Sequence, residues 1–180
     1  VTPMKEEVKR LSIALQLLNA ILNLFSDFKK KEQIEELEFL PPKIMTTKDK
    51  FIQVCLDALD KDVTPKDEVP DEVACAQTLS TLLKKVLPDF PIVESTKDLD
   101  LKLFIDKRFE RVTEGKKGDI IISPRTPQQT GHTGMFITDE RIASNDSKTG
   151  KWIGNYDWFK WVDYFKVKKG LRIYIYRFKE

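Results

Sequence analysis

One histidine, two cysteines and no glycine before position 115 set the first limits on this chain of 180 residues. With His132 alone, a histidine-rich metal site cannot be built, and any imidazole acid–base step has to use that residue. Two cysteines, Cys55 and Cys75, do not make a disulfide framework, although a bridge between them stays open on the sequence. An excess of one charge is also lacking, since 31 Lys and Arg stand against 29 Asp and Glu for a net charge of +2. Nucleic-acid binding needs a concentrated basic surface and is not expected. No apolar run reaches the length of about 20 residues that a membrane span requires, so a span is not expected, and membrane contact would be limited to an interfacial helix assisted by the Lys29 to Lys31 cluster, a less favoured reading. The N-terminus carries no secretory signal pattern. A composition of 41% hydrophobic and 33% charged residues excludes collagen and disorder, and fits one compact domain with an added arm.

The residues that are present divide the chain into helix formers first and turn formers later, because all 7 glycines fall from Gly115 onward. Val8, Leu11, Leu15, Leu18, Leu22 and Phe25 alternate at spacings of three and four, and Ala14, Leu17, Ile21, Leu24 and Phe28 widen the stripe. This pattern predicts a helix from Met4 to Lys31 that packs on its own domain or on a second copy, so self-association through it is open. A short helical stretch over Glu32 to Glu38 ends at Pro41 and Pro42. Residues 1–45 therefore read as a helical arm and 46–180 as the main domain. Thr46 or Thr47 caps the next helix, Lys48 to Leu59, whose apolar face includes Cys55 as a small buried hydrophobe.

Pro70 and Asp71 open a further helix that Pro88 stops, which puts Cys75 in its first turn or two. Free amides and the helix dipole favour a thiolate there, and such cysteines fall from about 8.5 to roughly 3.5–7.5 in pKa. The stretch Ser95 to Asp106 fits a strand or a helix capped by Ser95 or Thr96. Strands are expected over Phe109 to Val112 and Ile120 to Ser123, followed by a hairpin whose first strand opens at His132 and whose second ends near Ser144. Trp158 to Phe165 suits a short helix, and Leu171 to Phe178 a closing strand. Between residues 152 and 165 lie Trp152, Tyr156, Trp158, Phe159, Trp161, Tyr164 and Phe165, read as core with one or two rings free to line a groove.

A cysteine at a helix start, the sole histidine at the head of a strand, and Asn145-Asp146 after the paired strand form a nucleophile, base and orienter in the order that thiol catalysis needs. Ser144, Asn145 and Asp146 compete for the third place. Asn145 is the first choice because its amide carbonyl can accept the imidazole proton. With Gly118-Asp119 before an apolar strand, and with His132-Thr133-Gly134-Met135-Phe136, this constellation resembles the papain-like cell-wall hydrolases, the CHAP amidases and endopeptidases and the NlpC-type peptidases, over Thr46 to Glu180. The resemblance implies an α+β, papain-like fold with N-terminal helices packed on a small antiparallel sheet. It implies a cysteine amidohydrolase, endopeptidase or N-acetylmuramoyl-L-alanine amidase, that cleaves peptidoglycan amide bonds with Cys75 as nucleophile, His132 as base and Asn145 as orienter. No metal and no organic cofactor is called for. The setting it suggests is a phage or bacterial lysin acting at the cell wall, released through a holin or carried on a virion. The 9 bases against 3 acids after Ser147 would help it reach an anionic wall. Two alternatives are a cysteine peptidase or transferase acting on protein, and a non-catalytic wall-binding or assembly module.

Overall fold

The computed structural model describes residues 15–31, 44–65 and 74–179. Contacts divide the chain into two units, Val1–Ile44 and Met45–Glu180. In the first, residues 15–31 form helix α1, whose Leu18, Leu22 and Phe25 are exposed. The remainder of the expected Met4 to Lys31 helix, and the short stretch after it, lie outside the described residues. Among the described residues no helix is long and apolar enough to cross a membrane.

In the second unit, helix α2 (Thr47–Asp57) starts at a reciprocal cap. Thr46 Oγ1 accepts from the Asp49 amide at 3.0 Å and the Thr46 amide donates to Asp49 Oδ2 at 3.1 Å. Caps of this kind contribute about 1 kcal/mol. Phe51 and Cys55 form its buried face. Helix α3 (Cys75–Lys84) buries Leu79, Leu82 and Leu83 completely, each worth about 1.5–3 kcal/mol relative to exposure. The ambiguous stretch resolves as helix α4 (Thr96–Ile105), because Ser95 Oγ accepts from the Lys97 amide and starts a turn that a strand could not use.

Six antiparallel strands follow: β1 (Phe109–Val112), β2 (Ile120–Ser123), β3 (His132–Phe136), β4 (Arg141–Asn145), β5 (Trp152–Asp157) and β6 (Tyr174–Phe178). They lie in the order β1-β6-β2-β3-β4-β5. Helix α5 (Trp158–Trp161) runs into a wider π-helical turn, Val162–Lys168, before β6. The α+β class and the packing of helices on an antiparallel sheet are as expected from the sequence, with the Cys75 helix preceding the strands. Strand β5 is an addition, since the aromatic run did not read as a strand.

Alternation along the strands gives the sheet two apolar faces. Ile120, Ile122, Met135, Ala143, Trp152 and Tyr176 share one core with the α2, α3 and α4 residues. Ile121, Phe136, Ile142 and Ile175 share the other with Trp161 and Phe165. Asp119, fully buried beside Gly118 at φ +90°, is tied to both ends of this unit: Arg177 donates to its two carboxylate oxygens, and Lys48 Nζ lies 3.7 Å away.

Candidate active site

Cys75 is the first residue of α3 and its thiol is almost entirely enclosed, at 7% exposure. Backbone amides of Thr133, Ala76 and Cys75 donate toward the sulfur. These amides favour a thiolate, as the helix N-terminus led us to expect, but burial acts more strongly in the opposite direction. The Cys75 thiol is pushed up to about 11, and its resting form is neutral. Burial likewise raises Cys55, which lies in the core, and both cysteines are free.

The sulfur thus rests against the peptide that follows His132, at the end of the sheet where α3 meets β3. The His132 ring belongs to the other face. It pairs across with Ser123 and stacks near Phe165 at 5.4 Å and Trp161 at 5.5 Å, with Tyr156 at 5.8 Å. Desolvation by these rings, helped by the Lys169 cation, lowers the imidazole to about 4, with Asp146 opposing. His132 is therefore a neutral imidazole at pH 7. Tyr156 is raised by burial first and then by the charges of Tyr164, Asp146 and Cys75. The phenol thus senses the thiol while its ring touches the imidazole.

His132 Nε2 lies 2.9 Å from Ser144 Oγ, and the Ser144 hydroxyl donates to Asn155 Oδ1 at 2.7 Å. The register explains why Ser144 is reached. Gly134 is opposite Ser144, and a Cβ at Gly134 would come within 2.5 Å of the Ala143 carbonyl and 3.2 Å of Ser144 Cβ. A glycine there leaves the space between His132 and Ser144 open. Asn145 is buried one residue further on, where its partner Trp152 belongs to the helix-side core, so the two neighbouring positions face opposite sides. Asp146 is held in a turn, accepting from the Thr149 amide and hydroxyl, and reaches His132 through its charge.

A cavity of about 350 Å³ opens at Cys75 between Ser95, Thr96, Arg125, Gln128 and Gly131. A larger one, about 530 Å³, lies elsewhere, over Gly115, Phe136, Trp158 and Phe159, and includes none of the residues just described. No group of three or more His, Cys, Asp or Glu side chains that could hold a metal occurs among the described residues. Sequence reasoning missed Asn155 and left Tyr156, Trp161 and Phe165 as generic core or groove rings. The one signal for Asn155 was Gly154 inside the run Trp152-Ile153-Gly154-Asn155-Tyr156, where a glycine in a strand pattern points to a bulge.

No family model matches the chain, and no curated protein is similar to it. Among solved structures it is similar to the crystal structure of the type VI native effector–immunity complex Tae3-Tai3 from Ralstonia pickettii. The TM-score is 0.48 at 16% identity, over 72% of this chain and 99% of that one.

Proposed function

We propose that this chain is a cysteine amidohydrolase of the papain-like kind, acting on amide bonds of peptidoglycan. The observation that carries the chemistry is that the Cys75 sulfur lies on the amides of a helix start and of Thr133 and acts by its charge on Tyr156, whose ring centroid is 5.8 Å from that of His132. The substrate class rests on the sequence resemblance to the CHAP and NlpC-type hydrolases.

In this reading the neutral His132 acts as general base. As the sulfur attacks the scissile carbonyl, the thiol proton passes to imidazole Nδ1, so no free thiolate is needed beforehand. The carbonyl π pair moves to oxygen, where the helix-start amides stabilise the charge. Collapse breaks the C–N bond, the imidazolium returns its proton to the leaving amine, and a thioester remains. Water, deprotonated by His132, then attacks the thioester and releases the acid and the thiol. The cavity at Cys75 would receive the peptide, with Arg125 as a cation for substrate carboxylates. The setting we infer is action at the cell wall, by a lysin released through a holin or carried on a virion.

The burial of Cys75 favours a second reading, a non-catalytic wall-binding module in which the thiol is structural. Digestion of purified peptidoglycan with mass analysis of the fragments separates the two. New amine and carboxyl ends, absent with Cys75→Ala, support hydrolysis. Undigested wall that binds wild type and Cys75→Ala equally supports the module.

A further inference from the structure

Strand β5 carries an irregularity at the level of Ser144. Between the pairs Ile142↔Tyr156 and Ser144↔Ile153, β4 advances two residues while β5 advances three. The extra residue is a bulge, a device that turns a side chain out of its ladder position. Gly154 and Asn155 occupy it. The Gly154 carbonyl accepts from Arg141 Nη2 at 3.0 Å, which pins the bulge from the neighbouring strand. A Cβ at Gly154 would stand 3.1 Å from that same guanidinium nitrogen, closer than it can comfortably sit. The consequence is that Asn155, not its neighbours, presents a carbonyl oxygen to Ser144 at 2.7 Å.

Proton counting then decides the state of the ring. A serine hydroxyl has one hydrogen and a carboxamide oxygen can only accept, so the Ser144 proton points to Asn155. The Ser144 oxygen can bond His132 Nε2 only by accepting from it, at 2.9 Å. Nε2 therefore carries the hydrogen and Nδ1 keeps the lone pair. We propose that Asn155, acting through Ser144, is a positioning residue that fixes the tautomer and orientation of His132. The inference rests on His132 being the base of the proposed reaction, but the tautomer is measurable without any activity.

Because the chain holds a single histidine, imidazole 15N resonances report this one ring without assignment. Wild type should show one tautomer at pH 7, with protonated Nε2 and bare Nδ1. Asn155→Leu, similar in size and unable to accept, should release the serine proton and give a mixture or the opposite tautomer. Peptidoglycan turnover should then fall roughly 10- to 100-fold, the range for partners that orient a working ligand, with KM unchanged. Asn155→Asp keeps an accepting oxygen and should retain the wild-type tautomer while moving the acid limb of the pH profile upward. It also serves as the second variant should Asn155→Leu fold poorly, since Nε2 deprotonated in a folded Asn155→Asp overturns the proposal. So does a wild-type tautomer with full turnover in a folded Asn155→Leu. If no variant, wild type included, digests peptidoglycan while the tautomer changes as stated, the hydrolase reading fails and the positioning of His132 by Asn155 stands.

Discussion

The imidazole of His132 lies nearly parallel to the ring of Phe165, with centroids 5.4 Å apart and planes 16° from each other. A ring so covered resists protonation, and the effect reads directly as pH-dependent stability. Unfolded, His132 takes a proton near 6.5, whereas folded it refuses one until about 4. The proton therefore stabilises the unfolded chain, and stability should fall as pH drops from about 6.5 to 4, with no further loss from this group below that. At about 1.4 kcal/mol per pH unit, the loss reaches at most about 3 kcal/mol. Thermal melts of wild type and His132→Gln across this window should show the steeper fall in wild type. Parallel curves would contradict it.

Cys75 should be slow to alkylate at neutral pH, because its thiol is pushed up to about 11. In a Cys55→Ala background, the iodoacetamide rate should climb roughly tenfold per pH unit between 7 and 10, as the thiolate fraction does. His132→Ala should leave that slope unaltered, since burial rather than an ion pair sets it. A fast rate that is flat from pH 6 would mean a preformed thiolate–imidazolium pair.

Cys75→Ala should abolish wall lysis and keep the fold, while Cys55→Ala should keep lysis and lose about 1 kcal/mol of stability from the core. Turbidity of wall suspensions and melts of both variants provide the check. Lysis by Cys75→Ala at the wild-type rate would remove it as nucleophile.

The third position can be tested by a pair of substitutions. Ser144→Ala should lower turnover by about tenfold or more with KM unchanged, because it removes the oxygen that holds Nε2. Asn145→Ala, on the face shared with Trp152, should act mainly on stability. Steady-state rates on a soluble muropeptide, with melts as control, distinguish the two. A kinetic loss confined to Asn145→Ala would return the orienting role to that residue.

How far the sequence could be read depended on how local the cause was. The Thr46 cap, the helix that begins near Cys75 and the hairpin that opens at His132 are local signals, and they placed their elements within a few residues, whereas Ser95 to Asp106 stayed open between strand and helix because its alternating leucines fit both. The thiol's acidity was not legible, because helix position speaks for a thiolate while enclosure, which comes from the whole fold, speaks more strongly against it. Which of Ser144 and Asn145 lies beside His132 depends on strand parity, which is fixed by the pairing of Gly134 with Ser144 rather than by residue type. Strand β5 escaped because its aromatics match a core helix or a groove as well as a strand, and because its bulge breaks the period of two.

The strand that comes last in sequence, β6, is not at the rim of the sheet but between β1 and β2, and it brings Arg177 to the enclosed carboxylate of Asp119. Without β6, β1 would lose its partner, β2 would lose one of its two neighbours, and the Asp119 carboxylate would keep only Lys48 and the Lys116 amide, so removing this strand opens the middle of the sheet rather than trimming its edge.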